Sequence, residues 1–392
     1  MVDRWLEIIG LGEDGLAGLS DASRASLAAA EVIFGGPRHL ALVEAGERGR
    51  SWPVPFDVTP VLTLRGRLVV VLASGDPFWF GAGGALAAHL SPEEWRVHPA
   101  ASTFSLAAAR LGWRLEAVAC LGLHAAAFAS ALTRLHPGAR LICLMRSGEA
   151  VPEFARWLDT QGFGASALWV LEALGGQRER IRSTTATGFD RSDVVSPVAV
   201  AVEVAGTLGL PRSPGLPDAG YAHDGQITRA PVRALTLAAL APRPGAHLWD
   251  IGAGSGSVAV EWCLAGGHAT AFERQAGRAA NIRTNAQRFG VADRLAVFEG
   301  AAPEALAGLP APQAIFVGGG FDLALFARLQ ALARGCRLVV SAVTLETESL
   351  LLGLHALHGG ELLRIELAHA APLGRLRGWV PARPIVQWSV AL

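Results

Sequence analysis

The sequence predicts an α/β protein of two domains: an N-terminal domain of two lobes and a C-terminal doubly wound, Rossmann-like parallel sheet. Two observations lead to this prediction. Apolar, strand-like runs alternate with helical stretches along almost the whole chain, which is typical of βαβ units. One stretch breaks the alternation, because residues 206–220 (GTLGLPRSPGLPDAG) carry three prolines at intervals of three residues and suit neither a helix nor a central strand. We therefore expect domains at 1–205 and 221–392, joined by a linker at 206–220.

The composition excludes several classes of function. The 392 residues carry no net charge, and 51% of them are hydrophobic, so the chain lacks the basic excess of a nucleic-acid-binding protein. No apolar run reaches the length of a membrane span without a charge or a proline. The four cysteines are scattered without metal-ligand spacing, which predicts reduced core thiols and no metal site. We expect a cytoplasmic protein without nucleic-acid or membrane partners. We also expect a homo-oligomer, because an apolar chain of this kind can assemble.

The first domain opens with a predicted strand at 7–12. A helix follows in SDASRASLAAAEVIFG, with Ser20 or Asp21 as its N-cap residue. Further strands are predicted where buried apolar runs occur, at 67–77, 139–148, 167–174 and 197–205. Further helices are predicted at 104–113 and 152–163, the second from its amphipathic spacing. The two lobes are expected to meet near residue 98.

Three glycine-bearing turns follow apolar strands of this domain, at 10–15, 73–83 and 145–150. If they share one rim of the fold, they outline a binding pocket. The alternative is a set of ordinary βα turns, because a Gly-Asp-Pro sequence forms a good turn for local reasons. Spacing alone leaves both interpretations open.

In the second domain, βα units follow one another. Predicted strands lie in HLWDIG, HATAFER, RLAVFEG, AIFVGGG and RLVVSAV, with helices between them, notably at 275–290. Parallel sheets of this kind bind ligands beyond the carboxyl ends of their strands. The glycines of DIGAGSG, Glu273, residues 299–301 and Gly318–Gly320 all follow strand ends, so we expect them at one edge of the sheet.

A carboxylate and three glycines follow the first of these strands. Asp250 precedes Gly252, Gly254 and Gly256, and Glu273 ends the next strand. Glycine lets the backbone turn tightly and approach a ligand, and a carboxylate at the second strand end accepts ribose hydroxyls. Dinucleotide-binding loops have the spacing G-x-G-x-x-G and bind a phosphate, which the Asp250 carboxylate would repel. The spacing G-x-G-x-G therefore predicts S-adenosylmethionine, which carries an ammonium and a sulfonium.

Several motifs of the first half occur in an order that resembles the tetrapyrrole methylase family. They are IIGLGEDGLAGLS, GGPRHL, LASGDPFWFG, PAASTFSLAAARLG and LEALGGQRERI. The second half resembles a partner domain of that family through GLPDAGYAHDGQITRAPVRALTLAAL, DIGAGSGSVAVE, FERQAGRAANIRTNAQRFG, FEGAAPEALAGLP, IFVGGG and VVSAVTLETE. Both halves in this order are similar to the family of fused precorrin-6Y C5,15-methyltransferases (decarboxylating) of cobalamin biosynthesis. The resemblance covers nearly the whole chain.

The resemblance implies an N-terminal tetrapyrrole methylase fold and a C-terminal class I methyltransferase fold, with two S-adenosylmethionine sites per chain. It implies methylation of C5 and C15 of the tetrapyrrole precorrin-6B and loss of carbon dioxide from the C12 acetate, which gives precorrin-8X. The first domain is assigned the C5 transfer, and the second domain is assigned the other two steps.

The resemblance also implies which residues bind the methyl donor. In the first domain they are Ser74, Gly75, Asp76, Ser102, Thr103 and Met145. In the second domain they are Thr228, Asp250, Gly252, Ala253, Gly254, Ser255, Gly256, Glu273 and Ala301. No catalytic residue is assigned, because methyl transfer to an electron-rich carbon mainly needs positioning and exclusion of water.

Candidate contacts to a large, flat, carboxylate-bearing substrate follow from residue chemistry. One further contact is implied by the resemblance instead, namely that the loop of Gly10 and Gly12 faces the macrocycle. Gly318 and Gly319 leave an open floor or simply form a tight turn. Arginine suits bidentate capture of carboxylates. The candidate arginines are Arg229, Arg233, Arg375 and Arg377. The alternative for each arginine is ordinary surface charge.

Two departures from the family pattern concern polar residues. The family's Leu-His-Gly-Arg is LHAAAF here, so His124 is kept but Ala126 replaces the arginine. The Thr-Lys that opens a helix of the second domain is Thr228-Arg229, which keeps the charge and changes the donor geometry.

Three other functions compete with a tetrapyrrole methyltransferase. A nucleic-acid methyltransferase with a fused accessory domain would show a basic face with interleaved aromatic residues, and the balanced charge argues against it. A non-enzymatic tetrapyrrole carrier would have a damaged donor site, whereas Asp250 and Glu273 are both present. A dinucleotide oxidoreductase is disfavoured by the glycine spacing.

Overall fold

The computed structural model describes residues 4–300, 302, 306 and 308–392. The chain forms two compact units. The first contains the residues up to Phe128 together with Arg134–Gly209, and the second contains Ala129–Thr133 together with Leu210–Leu392. The domain limits that we derived from the sequence, at 205, 206–220 and 221, stay a prediction.

The first unit begins with a five-stranded sheet in which every strand is parallel to its neighbours, in the order β3-β2-β4-β1-β5. Its strands are β1 (Leu6–Leu11), β2 (Val32–Gly35), β3 (Gly49–Ser51), β4 (Val69–Ser74) and β5 (Trp95–His98). The connecting helices are α1 (Asp21–Ala29), α2 (Pro37–Leu42), α3 (Thr59–Leu62) and α4 (Ala82–Ala87). The central strands β1 and β4 are almost wholly buried, as expected for a sheet with helices on its faces.

A second, mixed sheet forms the other lobe of this unit, in the order β6-β7-β10-β8-β9. Its strands are β6 (Val118–Gly122), β7 (Arg140–Leu144), β8 (Ala167–Glu172), β9 (Arg180–Thr185) and β10 (Val198–Glu203). Only β6 and β7 run parallel, and the other pairs are antiparallel. The helices are α5 (Thr103–Leu111) and α6 (Ala150–Leu158). The predicted two-lobed α/β fold is confirmed.

The second unit is built on a seven-stranded sheet in the order β13-β12-β11-β14-β15-β19-β16. Its strands are β11 (His247–Ile251), β12 (His268–Glu273), β13 (Leu295–Glu299), β14 (Ala314–Val317), β15 (Arg337–Ala342), β16 (Glu361–Ile365) and β19 (Ile385–Ala391). The first five strands are parallel, and β19 is antiparallel to both of its neighbours. The predicted doubly wound sheet is confirmed.

Helices flank this sheet, and a separate hairpin follows β16. The helices are α7 (Ala230–Leu240), α8 (Ser257–Leu264), α9 (Ala276–Arg288), α10 (Leu323–Leu332) and α11 (Leu345–His358). The hairpin consists of β17 (Ala368–Leu373) and β18 (Leu376–Pro381). The chain order reverses between β11 and β14, so the loops after these two strands border the crevice where such sheets bind ligands.

Two predicted helices differ from the structure. The helix predicted in SDASRASLAAAEVIFG has Ser20 as its N-cap residue, but it ends at Ala29. The residues Val32–Gly35 form the buried strand β2 instead, in line with the preference of Val, Ile and Phe for strands. The helix predicted at 152–163 ends at Leu158 and continues as a wider turn through Asp159–Phe163, because Gly162 has a φ of +84°.

None of the α-helices in the described part of the chain is long and apolar enough to cross a bilayer.

Candidate active sites

Three glycines shape the loop after β11 in the second unit. Gly252, Gly254 and Gly256 have φ values of +66°, +58° and +70°, a region that other residues rarely adopt. A Cβ atom on Gly252 would lie 2.7 Å from the carbonyl oxygen of Gly319, and one on Gly256 would lie 2.7 Å from Cγ2 of Ile282. The loop after β11 and the glycines after β14 therefore approach each other closely, as their sequence positions predicted.

Glu273 ties this loop to the end of β12. The side chain is buried, the backbone N–H of Gly254 donates to its Oε2 at 2.9 Å, and the N–H of Gln275 donates to its Oε1 at 2.9 Å. Each carboxylate oxygen keeps a second lone pair, so both can still accept from a ligand hydroxyl. This is the geometry that a ribose diol requires.

Asp250 lies beneath the same loop and is 1% exposed. Its Oδ2 accepts a hydrogen bond from the N–H of Ala259 at 3.2 Å. Its Oδ1 has no hydrogen-bond partner among the described residues. Burial raises the pKa of this carboxyl to about 7, against the hydrogen bond from Ala259 and with a further contribution from the charge of Glu273. A buried carboxylate oxygen without a partner is costly, so the site favours a cationic group.

Several further predicted residues lie in or beside this loop. Ser255 is buried and its hydroxyl has no partner within the described residues, while the N–H of Ala253 donates to Phe272 O at 3.2 Å. The carbonyl oxygen of Gln226 lies 3.4 Å from the position of a Cβ on Gly254, so the segment that contains Thr228 passes close to the glycine loop. Gly318 and Gly319 are exposed. Ala301, also predicted to bind the donor, lies outside the described residues.

Arg233 lies in a different setting from the one that its sequence position suggested. It is completely buried, its Nε donates to Glu261 Oε1 at 2.6 Å, and its Nη1 donates to Asp218 Oδ1 at 3.1 Å. It also contacts the carbonyl oxygens of Thr228 and Leu216. Its donors therefore face the protein, and we leave Arg233 out of the substrate contacts.

The other candidate arginines are exposed. Arg229 lies 3.4 Å from Asp218 Oδ2. Arg375 and Arg377 belong to the hairpin β17–β18, and neither forms an ion pair with another described residue. Arg375 and Arg377 remain available to a carboxylate-bearing ligand, and the exposed guanidinium of Arg229 keeps further donors besides the one that faces Asp218.

A cavity of about 390 Å³ lies in the first unit. It brings together the three glycine-bearing turns, since its lining includes Gly12, Gly75 and Met145. It also includes the predicted residues Ser74, Ser102 and Thr103. Gly10 and Asp76 are not in the lining: Gly10 packs against the Gly75 backbone, and Asp76 Oδ1 accepts from the N–H of Phe78 at 2.9 Å.

Gly75 fixes the approach of its turn to helix α5. Its φ is +57°, and a Cβ on it would lie 2.7 Å from Cα of Ser102. Ser102 is the N-cap residue of α5, and its Oγ accepts from the N–H of Ser105 at 3.1 Å. The hydroxyl of Ser102 therefore holds the helix end that borders the cavity.

Aromatic rings form much of the cavity wall. Trp79 and Phe80 lie 4.7 and 5.9 Å from the ring of Phe104 between centroids, and His124 meets Phe80 edge to face. Burial lowers the pKa of His124. Trp52 also lines the cavity. Such a wall suits a flat, conjugated ligand.

A polar cluster in the same cavity was not assigned from the sequence. Arg38 contacts Glu13, and its Nη2 donates to Ser74 Oγ at 2.8 Å. Nε2 of His39 lies 2.9 Å from the same oxygen. The sequence signal for this cluster is GGPRHL, a motif of the resemblance that implies no role for either side chain.

Comparison with known proteins gives two family matches. Residues 6–190 match the family described as tetrapyrrole (corrin/porphyrin) methylases, and residues 219–392 match the family described as a precorrin methyltransferase domain.

Two relatives that match this chain over nearly its whole length share one name. The chain is 48% identical over 401 residues to the precorrin-6Y C(5,15)-methyltransferase [decarboxylating] of Sinorhizobium sp, covering 99% of this chain and 97% of that protein. It is 40% identical over 390 residues to the protein of the same name from Mycobacterium tuberculosis, covering 98% of both. A crystal structure of the C-terminal domain of precorrin-6Y C5,15-methyltransferase from Rhodobacter capsulatus matches 47% of this chain and 100% of that chain, with 57% identity and a TM-score of 0.46.

Proposed function

The chain belongs to the family of precorrin-6Y C(5,15)-methyltransferases (decarboxylating), and from this premise we propose that it methylates C5 and C15 of precorrin-6B and decarboxylates the C12 acetate to give precorrin-8X. It is an S-adenosylmethionine-dependent methyltransferase. The names of its relatives support this function and not the nucleic-acid methyltransferase that the sequence left open. The predicted cytoplasmic location stays a prediction.

The observation that carries the proposal is Oδ1 of the buried Asp250 under the glycine loop, which has no hydrogen-bond partner in the described part of the chain. This oxygen suits the cationic methionine end of S-adenosylmethionine, and Glu273 suits its ribose. We assign Thr228, Gly252, Ala253, Gly254, Ser255 and Gly256 to the same site. Ala301 is kept in this assignment by the family pattern alone.

A second donor site is proposed in the cavity of the first unit, which gives two sites per chain. Ser74, Gly75, Thr103 and Met145 line this cavity and can contact the donor directly. Ser102 and Asp76 hold the two turns that shape it. Gly12 also borders the cavity, which is consistent with the proposed contact between its loop and the macrocycle. Gly10 packs against the backbone of Gly75 and holds that loop in place.

Bound S-adenosylmethionine supplies a methyl group on a sulfonium, which is already activated for transfer. The protein therefore needs to hold the accepting carbon in line with that methyl group and exclude water. In the second unit, Gly318 and Gly319 are exposed beside the donor loop and leave space for a flat ring. Arg229, Arg375 and Arg377 are the proposed carboxylate contacts.

Decarboxylation and C15 methylation are proposed to be chemically linked. Loss of carbon dioxide from the C12 acetate leaves an electron pair that conjugation carries towards C15, and that carbon can then attack the methyl group. One unit can thus perform both steps without a separate set of catalytic side chains.

The test uses the full chain with precorrin-6B and a donor whose transferable methyl group is deuterated. Mass spectrometry of the product should show two labelled methyl groups and the loss of one carbon dioxide. The Asp250→Asn variant should lose the C15 methyl group, because its site no longer carries the negative charge, and should keep the C5 transfer. A single labelled methyl group in the wild-type product at completion would contradict the proposal.

We also propose that the protein forms a homo-oligomer. Leu373, Leu376 and Trp379 of the hairpin β17–β18 are 69%, 77% and 76% exposed. A two-stranded hairpin is marginally stable by itself, and large apolar side chains at this exposure are typical of contact surfaces. A second copy of the chain would cover them.

A further inference from the structure

The polar cluster of the N-terminal cavity contains two side chains that the donor site leaves without a role, Arg38 and His39. Both belong to helix α2, which follows β2, and β2 pairs with β4, the strand that ends at Ser74. Nη2 of Arg38 lies 2.8 Å from Nε2 of His39. Both atoms also lie within 2.9 Å of Ser74 Oγ. Ser74 is exposed, and both Ser74 and His39 line the cavity.

These contacts fix the tautomer of His39. A guanidinium only donates hydrogen bonds, so Nε2 of His39 is an acceptor and carries a lone pair. The hydrogen of the neutral ring is then on Nδ1, which is buried without a partner in the described part of the chain. Burial, followed by the charge of Arg38, lowers the pKa of His39 to about 4, so the ring is neutral at neutral pH.

The charged groups around the ring come from three elements. Arg38 belongs to α2 itself, Glu13 lies in the loop after β1, and Arg178 lies in the loop between β8 and β9, 3.8 Å from Glu13. Glu13 contacts Arg38, and the hydrogen-bond partners of His39 Nε2 among the described residues are Arg38 and Ser74. The one lone pair of Nε2 accepts from either Arg38 or Ser74. When Arg38 donates to the Ser74 oxygen instead, the hydroxyl proton of Ser74 points at Nε2.

Methylation of C5 releases a proton, which follows from the proposed function. As the bond between C5 and the methyl carbon forms, the bond from that carbon to sulfur breaks and its electron pair stays on sulfur. The macrocycle has then given a π pair to the new bond and is cationic. The C5–H bond must break, its electrons return to the conjugated system, and the proton needs an acceptor.

We propose that His39 is this proton acceptor and that it acts through Ser74. Oγ of Ser74 takes the proton from C5 while its own proton moves to Nε2 of His39. Arg38 holds the serine oxygen in place, and its positive charge favours the return of the proton from the imidazolium to solvent. The His39 ring is therefore neutral again before the next turnover.

The experiment measures single-turnover methylation at C5 with a substrate that carries either hydrogen or deuterium at that carbon. The His39→Asn variant keeps a polar side chain but cannot take up a proton. We expect its C5 rate to fall by about 100-fold or more, the usual contribution of a general base, and a primary deuterium isotope effect to become larger than in the wild type. His89→Asn, at an exposed position of the same unit, is the matched control with unchanged rate.

Binding of S-adenosylhomocysteine to the first unit is measured separately, in the Asp250→Asn background. Unchanged affinity in His39→Asn supports proton transfer, whereas loss of binding together with the C5 rate would overturn the proposal. A C5 rate within about threefold of the wild type, or a slow variant without an enlarged isotope effect, would also overturn it. A wild-type chain that methylates C15 but never C5 would contradict the proposed function itself.

Discussion

At the scale of single residues, Asp250 is the side chain whose environment says most about its ligand. It is buried, one of its oxygens has no partner among the residues that the structure describes, and its pKa is raised from 3.8 to about 7, first of all by burial. Without ligand, this carboxylate is held in a place that disfavours its charge. A bound cation reverses that effect, because opposite charges attract strongly in a buried site.

The stability of the ligand-free protein should therefore depend on pH through Asp250. The raised pKa makes a stabilising contribution that is fully present below pH 3.8 and is lost as the pH rises through about 7. The Asp250→Asn variant is neutral at every pH. We expect the two proteins to unfold at similar temperatures at about pH 4 and the variant to be more stable at about pH 8, by a few kcal/mol at about 1.4 kcal/mol per pKa unit.

Calorimetric unfolding over this pH range is the measurement. Saturation with S-adenosylhomocysteine is the control and should raise the unfolding temperature of the wild type more than that of the variant. A difference between the two proteins that stays constant with pH would show that the charge of Asp250 is not the cause.

Single residues also show where inference from sequence ends. The glycines at 252, 254 and 256 were predicted at a ligand loop, because their spacing implies the turn directly, and all three have positive φ. Arg233 was expected at the substrate because it lies near Thr228 along the chain. Its buried partner Glu261 lies on another helix, and no local pattern reveals that pairing. His39 was missed for the same reason, since Ser74 is 35 residues away.

At the scale of elements, the carboxylate of Glu261 on α8 binds the segment that precedes α7 through several hydrogen bonds. Glu261 accepts from the N–H groups of Gly215 and Leu216, from the hydroxyl of Tyr221 and from Arg233. The guanidinium of Arg233 also lies over the ring of Tyr221. This network holds the segment that passes beside the glycine loop, so it supports the donor site without touching the donor.

Removal of Arg233 should destabilise the second unit. The Arg233→Ala variant leaves the buried carboxylate of Glu261 without its cation, and breaking a buried pair in this way costs about 3–5 kcal/mol. Urea denaturation gives the free energy of unfolding. Arg229→Ala, four residues earlier and exposed, is the matched control and should change that energy by no more than about 0.5 kcal/mol. If Arg233→Ala folded as stably as the wild type and only weakened substrate binding, Arg233 would belong to the substrate site after all.

The regular elements of the sheets were predictable and the peripheral ones were not. The central strands β1, β4, β11 and β14 are buried apolar runs, which local sequence indicates clearly. The hairpin β17–β18 is exposed along most of its length, so burial leaves no pattern in its sequence. The sequence pattern predicts a helix where β2 lies, because β2 follows α1 after only two residues.

At the scale of the whole molecule, one chain combines two folds, each with its own candidate donor site. The candidate site of the first unit is a cavity lined by aromatic residues between glycine-bearing turns. The candidate site of the second unit is a glycine loop at the edge of the parallel sheet, beside the carboxylate of Glu273. Two candidate donor sites would match the two proposed methyl transfers. The central claim is that each unit binds its own S-adenosylmethionine.

Isothermal titration of the full chain with S-adenosylhomocysteine tests this claim most directly. The Gly75→Val variant, whose side chain would clash with the Ser102 backbone, should remove the N-terminal site, and Asp250→Asn should weaken the C-terminal one. We expect two ligands per wild-type chain, one for each single variant and none for the double variant under the same conditions. A single ligand per wild-type chain, lost in one variant and unaffected in the other, would contradict it.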